Sequence, residues 1–296
     1  MNPSRRAFLF TPAALFAQPG GGLRYAICSE TFAGVKIDEA CRAARRTGYE
    51  GIEIEPAQLS ADPAALTAGE RASIRNAIGG SGVRYTGLHS LLRAPAGLHL
   101  TTPDPSVRGK SWEYFRRLID LAADLGDEAV MVLGSSRQRM AVDGTTPADA
   151  VKRLTEGLAS VAGAARARGV TILVEPLAPH LCNVVNTLAE AMEIVRAVAS
   201  PAVETMFDTH NTAAEKEPPA ALIRKYLPHI RHVHLNEMDG RRPGAGDYPF
   251  LEVLRALREV RFRHWVSVEV FDFKPDGETV ARQAREFLRD LERRLG

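Results

Sequence analysis

The chain has 296 residues and a mass of 32.2 kDa, with 45% hydrophobic and 25% charged residues. That composition is ordinary for a folded globular protein and excludes a disordered chain, a collagen-like repeat or a disulfide scaffold. No apolar run approaches the roughly 20 residues that span a bilayer. The formal charge of +2 belongs to Arg5 and Arg6, because residues 1–22 hold no acid. The remaining body is neutral and has no basic run, which argues against a protein that grips nucleic-acid phosphates.

Residues 4–10 read Ser-Arg-Arg-Ala-Phe-Leu-Phe, followed by an apolar stretch to Ala17 and then Gln-Pro-Gly-Gly-Gly. Paired arginines, a short apolar segment and small turn-forming residues resemble a twin-arginine export signal. Residues 1–22 are therefore expected to form a leader that sends the chain to the periplasm. A basic N-terminus on a cytoplasmic protein is the alternative. Cys28, Cys41 and Cys182 are odd in number and lack C-x-x-C spacing, so they imply neither a disulfide framework nor a zinc ribbon.

From Leu23 onward, short β-branched runs alternate with longer amphipathic stretches. Strands are expected at Arg24–Cys28, Gly51–Glu55, Val83–His89, Glu128–Leu133, Val170–Glu175, Val203–Asp208, His232–Asn236 and Trp265–Val270. Between them run helical patterns such as Ser111–Leu125, Pro147–Arg168 and Leu188–Val198. Thr146-Pro147-Ala148-Asp149 supplies a cap, a proline at the first helical position and an acid in the first turn. Thr187 and Glu190 stand at capping-box spacing, and Gly48, Gly126 and Gly169 mark stops before strands. Eight units of about 34 residues each suit strand–helix–strand crossovers. No linker breaks the series, and no G-x-G-x-x-G turn follows the first strand. A single (β/α)8 barrel over residues 23–296 is expected, with a doubly wound open sheet as the competing α/β arrangement.

A barrel of this kind carries its chemistry at the carboxyl ends of its strands. Strands five to eight end in Leu-Val-Glu175-Pro, Met-Phe-Asp208-Thr-His-Asn, Val-His234-Leu-Asn-Glu and Ser-Val-Glu269-Val. Taken singly, each has a plainer explanation. Glu175 could cap a loop and Asp208 a helix, His234 could be a satisfied core histidine, and Glu269 an ion-paired barrel acid. Four at matching depth point instead to one divalent cation held by three carboxylates and an imidazole. Such an oxygen-rich set suits Mn²⁺ first, with Mg²⁺ or Co²⁺ as alternatives.

These residues make the chain similar to the xylose isomerase-like barrel family of sugar isomerases and epimerases. The resemblance runs from Leu23 to the C-terminus. It is carried by Val-Glu175-Pro-Leu, Asn183-Val-Val-Asn186-Thr-Leu-Ala-Glu-Ala, Phe-Asp208-Thr-His, His232-Val-His234, Pro243-Gly-Ala-Gly246 and Val-Glu269. At the metal, the chain most resembles the ketose 3-epimerases, whose ligands map onto Glu175, Asp208, His234 and Glu269. The resemblance implies that the cation binds a carbonyl and a neighbouring hydroxyl of a keto-sugar. Glu175 and Glu269 would then exchange a proton on opposite faces of the adjacent carbon, through an enediolate. The chain departs from the family where relatives touch substrate. Asn211 stands at the histidine position three after the aspartate, Gly240 at the arginine position before Arg241, and Leu181 at a glutamate position.

His89, at the end of strand three, is a candidate contact for a substrate hydroxyl. So are Asn211 and the loop residues His210, Glu237 and Arg241, which stand beside the ligands. Glu53 and Glu55 share one strand face and read either as rim contacts or as ion-paired barrel acids. The Gly134–Arg139 segment reads as a polar substrate loop or as solvated arginines, and Trp112, Tyr114 and Phe115 as core or an oligomer contact.

The expected function is a divalent-metal-dependent sugar isomerase or epimerase. A lyase of the same fold is the first alternative: a dehydratase of keto-inositols or dehydroshikimate, or an enzyme cleaving 3-keto-glycosides. A non-catalytic sugar-binding protein is the second. An abasic-site endonuclease would need more histidines at the strand ends. The expected partner is a small sugar, with no nucleic acid and no membrane span, and by analogy with relatives a homo-oligomer.

Overall fold

The structure is a computed structural model that describes residues 22–296; the expected leader, up to residue 21, lies outside the described residues. Strands and helices alternate along the chain. The order begins β1 (Arg24–Cys28), α1 (Ile37–Arg46), β2 (Gly51–Ile54), α2 (Ala68–Gly80), β3 (Arg84–Leu88) and α3 (Pro105–Leu125). It continues with β4 (Val130–Leu133), the single turn α4 (Ser136–Arg139), α5 (Pro147–Ala167), β5 (Thr171–Val174) and α6 (Leu188–Val198). It ends with β6 (Val203–Asp208), α7 (Pro219–Tyr226), β7 (Ile230–Leu235), α8 (Phe250–Glu259), β8 (Trp265–Val268) and α9 (Gly277–Leu295). Neighbouring strands are parallel and β8 pairs with β1, so the sheet closes in sequence order. The expected barrel is the one observed. No helix among the described residues is long and apolar enough to cross a membrane.

Local chemistry sets the helix starts. The Thr67 hydroxyl accepts from the Glu70 backbone N–H while the Glu70 carboxylate accepts from the Thr67 N–H, a complete capping box on α2. Thr146 caps α5 through the Asp149 N–H, and Thr187 caps α6 through the Glu190 N–H. On α3, Trp112 and Phe115 turn into the core, and the Trp112 indole N–H donates to the Leu100 carbonyl. The indole lies flat against α5 at Gly157, where a Cβ would sit 1.9 Å from the ring. Trp112 is thus a core residue, and only glycine lets these two helices approach so closely. Two strand starts differ from expectation by two residues, and those of β3 and β5 by one. β7 begins at Ile230, two residues early, and β4 begins at Val130, because Glu128 has φ of 56° and closes the turn after α3.

The main core fills the space between the strands and the helices. A separate apolar group, Val130, Val132, Leu173 and Met206, comes from alternate positions of β4, β5 and β6, the faces turned toward the barrel axis. On β7, β8, β1 and β2 the buried residues at such positions are His232, His234, Ser267, Cys28 and Glu53. The interior is therefore apolar on one side and polar on the other, and the polar side leads to the strand ends.

One half-buried base at the opposite end makes stability depend on pH. Burial first, and then the charges of Arg231, His232 and Arg24, push the His264 pKa down to about 4. The folded pKa lies below the unfolded value of about 6.5, so the contribution is complete above pH ~6.5 and is lost as pH falls toward ~4. For a partly buried group the loss is of order 1–2 kcal/mol. Urea denaturation at pH 7 and pH 5 should show His264→Gln losing less stability on acidification than the parent. Equal losses would contradict this assignment.

Candidate metal centre

Glu175, Asp208, His234 and Glu269 meet at the carboxyl ends of β5 to β8. Their ligand atoms all lie within 4.8 Å of one another, and all four residues are buried. The sheet register brings this about. Asp208 pairs with His234 and His234 with Ser267, which sets Glu269 one inward step beyond Ser267. Glu175 follows the last residue of β5, and Gly134 after β4 makes room for it. A Cβ at position 134 would lie 2.1 Å from Oε2 of Glu175. Gly134→Ala is therefore expected to displace that carboxylate and weaken Mn²⁺ binding by roughly tenfold or more in calorimetric titration. Unchanged affinity would contradict this.

Nδ1 of His234 is 3.8 Å from Oε1 of Glu175 and 3.2 Å from Oε2 of Glu269, yet it has no hydrogen-bond partner. Its other nitrogen, Nε2, faces the Glu53 carboxylate at 3.1 and 3.2 Å. Burial opposes protonation of His234, but the charges of Glu53 and Glu269 outweigh it and raise its pKa well above 6.5, so without a cation Nδ1 carries a proton toward the carboxylates. A cation would displace that proton and take the Nδ1 lone pair, leaving Nε2 to donate to Glu53. An orphaned imidazole nitrogen among buried carboxylates is a donor set for a divalent cation. Its electrostatics agree. Burial, then Asp208 and Glu269, raise the Glu175 pKa well above the carboxylate range. Burial, then Glu269, raise that of Asp208 to about 6. Burial also opposes ionisation of Glu269, but the His234 imidazole outweighs it and draws that carboxyl down. Crowded carboxylates of this kind share protons until a cation replaces them.

Supporting contacts surround the four. Asn211 Nδ2 donates to Oδ2 of Asp208 at 2.5 Å and lies 3.4 Å from Oε1 of Glu175, while its Oδ1 accepts from the Ala178 N–H. Asn211 thus ties the Asp208 and Glu175 carboxylates together. The His210 N–H donates to Oδ1 of Asp208, its ring Nδ1 lies 3.1 Å from the Glu237 carbonyl, and its ring packs edge-on against Phe271. Glu237 gives its carboxylate to the N–H groups of Gly244, Gly246 and Tyr248, so it shapes the loop after β7. Arg241 is exposed, ion-paired to Asp239, and donates to the Ala245 carbonyl. His89 is buried, with Nε2 2.6 Å from Glu30.

Three contributors were not identifiable by spacing. Arg139 is fully buried, not solvated, and donates to the carbonyls of Leu133 and Glu175, tying the ends of β4 and β5 together. Asn236 accepts from the Thr209 hydroxyl and the His210 N–H, and its Nδ2 reaches 3.5 Å from Glu269. Glu53 lies beneath the centre, 2.8 Å from His232 Nε2 as well as against His234. Glu55, on the same face, pairs with Arg93 at the rim. The alternation of β2 hinted at Glu53, but its partners are 179 and 181 residues away.

A family profile described as "Xylose isomerase-like TIM barrel" matches residues 41–291. The D-psicose 3-epimerase of Agrobacterium fabrum is 28% identical over 58% of this chain and 60% of its own length. The fructoselysine 3-epimerase of Shigella flexneri is 26% identical over 86% of this chain and 93% of its own. The crystal structure of D-psicose 3-epimerase in the presence of D-fructose superposes with a TM-score of 0.78 at 23% identity. That match covers 91% of this chain and 99% of that one.

Proposed function

Because the chain belongs to the xylose isomerase-like TIM barrel family, we propose that it is a divalent-metal-dependent epimerase or isomerase that removes a proton beside the keto group of a sugar. The observation that carries this reading is the orphaned Nδ1 of His234 facing three buried carboxylates. Glu175, Asp208, His234 and Glu269 would hold the cation, Mn²⁺ before Mg²⁺ or Co²⁺. A cation there supplies a Lewis acid that makes a neighbouring C–H acidic enough for a carboxylate to remove.

The protein's own groups do the rest. Glu175 and Glu269 rise from β5 and β8, three strands apart in the ring, and flank the substrate carbon. One takes the proton and the other returns one, which inverts the centre. Asn211 and Asn236 keep the carboxylates in place, and Glu53 holds the His234 ring. The names of the relatives, a D-psicose and a fructoselysine 3-epimerase, favour a ketose or substituted ketose as substrate. With Arg5 and Arg6 read as an export signal, the substrate would be an unphosphorylated periplasmic sugar.

The test is product analysis by NMR in D₂O, with Mn²⁺ and a panel of ketoses, 3-keto-glucosides and keto-inositols. The expected result is an epimer or isomer labelled at one carbon. Loss of water or an aglycone would replace this reading with a lyase. Tight sugar binding without turnover would replace it with a sugar-binding protein.

A further inference from the structure

We propose that the barrel has a second cation site, formed by Cys28, Glu30, His89 and Glu269 and suited to a thiolate-preferring ion such as Zn²⁺. Cys28 ends β1, Glu30 lies in the short turn that follows it, His89 follows β3 and Glu269 follows β8. β8, β1, β2 and β3 run consecutively on the side of the barrel away from β5 and β6. All four residues are buried, and one ligand atom from each lies within 4.8 Å of the other three.

Nothing in the apolar core requires this set. The thiol of Cys28 has only long contacts, 3.7 Å to Oε2 of Glu53 and 3.6 Å to the Ser267 hydroxyl. His89 places Nε2 2.6 Å from Glu30, while its Nδ1, which has no hydrogen-bond partner, lies 3.8 Å from Oε1 of Glu53 beneath the set. A thiolate, an imidazole and two carboxylates make a four-coordinate donor set of the kind zinc takes. Binding would release the thiol proton and the proton held between His89 and Glu30. One dication then replaces two protons, and the buried charge stays balanced.

The two centres differ in donor type. The Glu175 centre offers oxygen and one nitrogen; this one adds sulfur, which softer ions prefer. They meet at Glu269, whose two carboxylate oxygens could serve one centre each. With the second cation bound, Glu269 is a weaker base, so occupation would slow the proton transfer proposed above.

Cobalt(II) separates the two sites without any substrate. The metal-stripped full chain is titrated with Co²⁺ and followed by near-ultraviolet absorption and metal analysis. Two cobalt ions per chain are expected, with a sulfur-to-cobalt charge-transfer band that Zn²⁺ bleaches. Cys28→Ser should lose the band and keep one ion. One ion per chain and no band in the parent would overturn the second site while leaving the first intact. A band that survives in Cys28→Ser would also overturn it, since the sulfur would then be Cys41 or Cys182. No bound cobalt at all would remove both centres.

Discussion

Glu269→Gln is expected to lower turnover by about 10³-fold, within the range seen when a general acid or base is removed, and Glu175→Gln by a similar factor. The carbonyl of glutamine can still ligate, so Mn²⁺ at saturating concentration should remain near one ion per chain. Each variant lacks one of the two proton carriers. Either should fail to complete inversion even where it still exchanges the substrate proton with solvent. Steady-state turnover together with metal analysis checks this. A Glu269→Gln variant within tenfold of the parent would remove the two-carboxylate scheme.

The second large effect belongs to a residue that touches no substrate. Glu53 is fully buried, with His232 and His234 both against its carboxylate. Burial opposes its ionisation, but the two imidazoles outweigh burial and hold its carboxyl well below the ordinary range. Removing one partner of a buried ion pair leaves the other charge uncompensated, typically at a cost of about 3–5 kcal/mol. Glu53→Ala is therefore expected to lose stability on that scale in urea denaturation. Glu53→Gln keeps the shape and one acceptor. It should fold, but its Mn²⁺ affinity should fall about 10–100-fold, because His234 is no longer held with Nδ1 toward the carboxylates. Affinity unchanged in Glu53→Gln would show that His234 is oriented by something else.

The barrel and the meeting of Glu175, Asp208, His234 and Glu269 at its strand ends were legible because both depend on short-range regularities. Short β-branched runs marked the strands, caps and glycines marked the helices, and the last inward residue of β5 to β8 was ionisable each time. What escaped depends on contacts that the chain closes only on folding. Glu53 read equally as a rim residue or an ion-paired acid, and only closure of β8 on β1 brings β7 within reach of β2. Arg139 read as one of several loop arginines, yet α4 turns it inward to join two strand ends. Arg241 was expected as a substrate contact because of its place in the sequence, and its exposed guanidinium is ion-paired to Asp239. Glu237 was expected to meet substrate. The Pro243-Gly-Ala-Gly246 turn offers its carboxylate backbone N–H groups, a signal that was present in the sequence.

The most direct test of the central claim compares the metal-stripped and Mn²⁺-reconstituted chain in D₂O with a substrate that the enzyme turns over. The account predicts deuterium incorporation beside the keto group only in the reconstituted sample, rising in proportion to Mn²⁺ bound up to one ion per chain. Exchange at the full rate in the stripped chain, with metal verified absent, would contradict it.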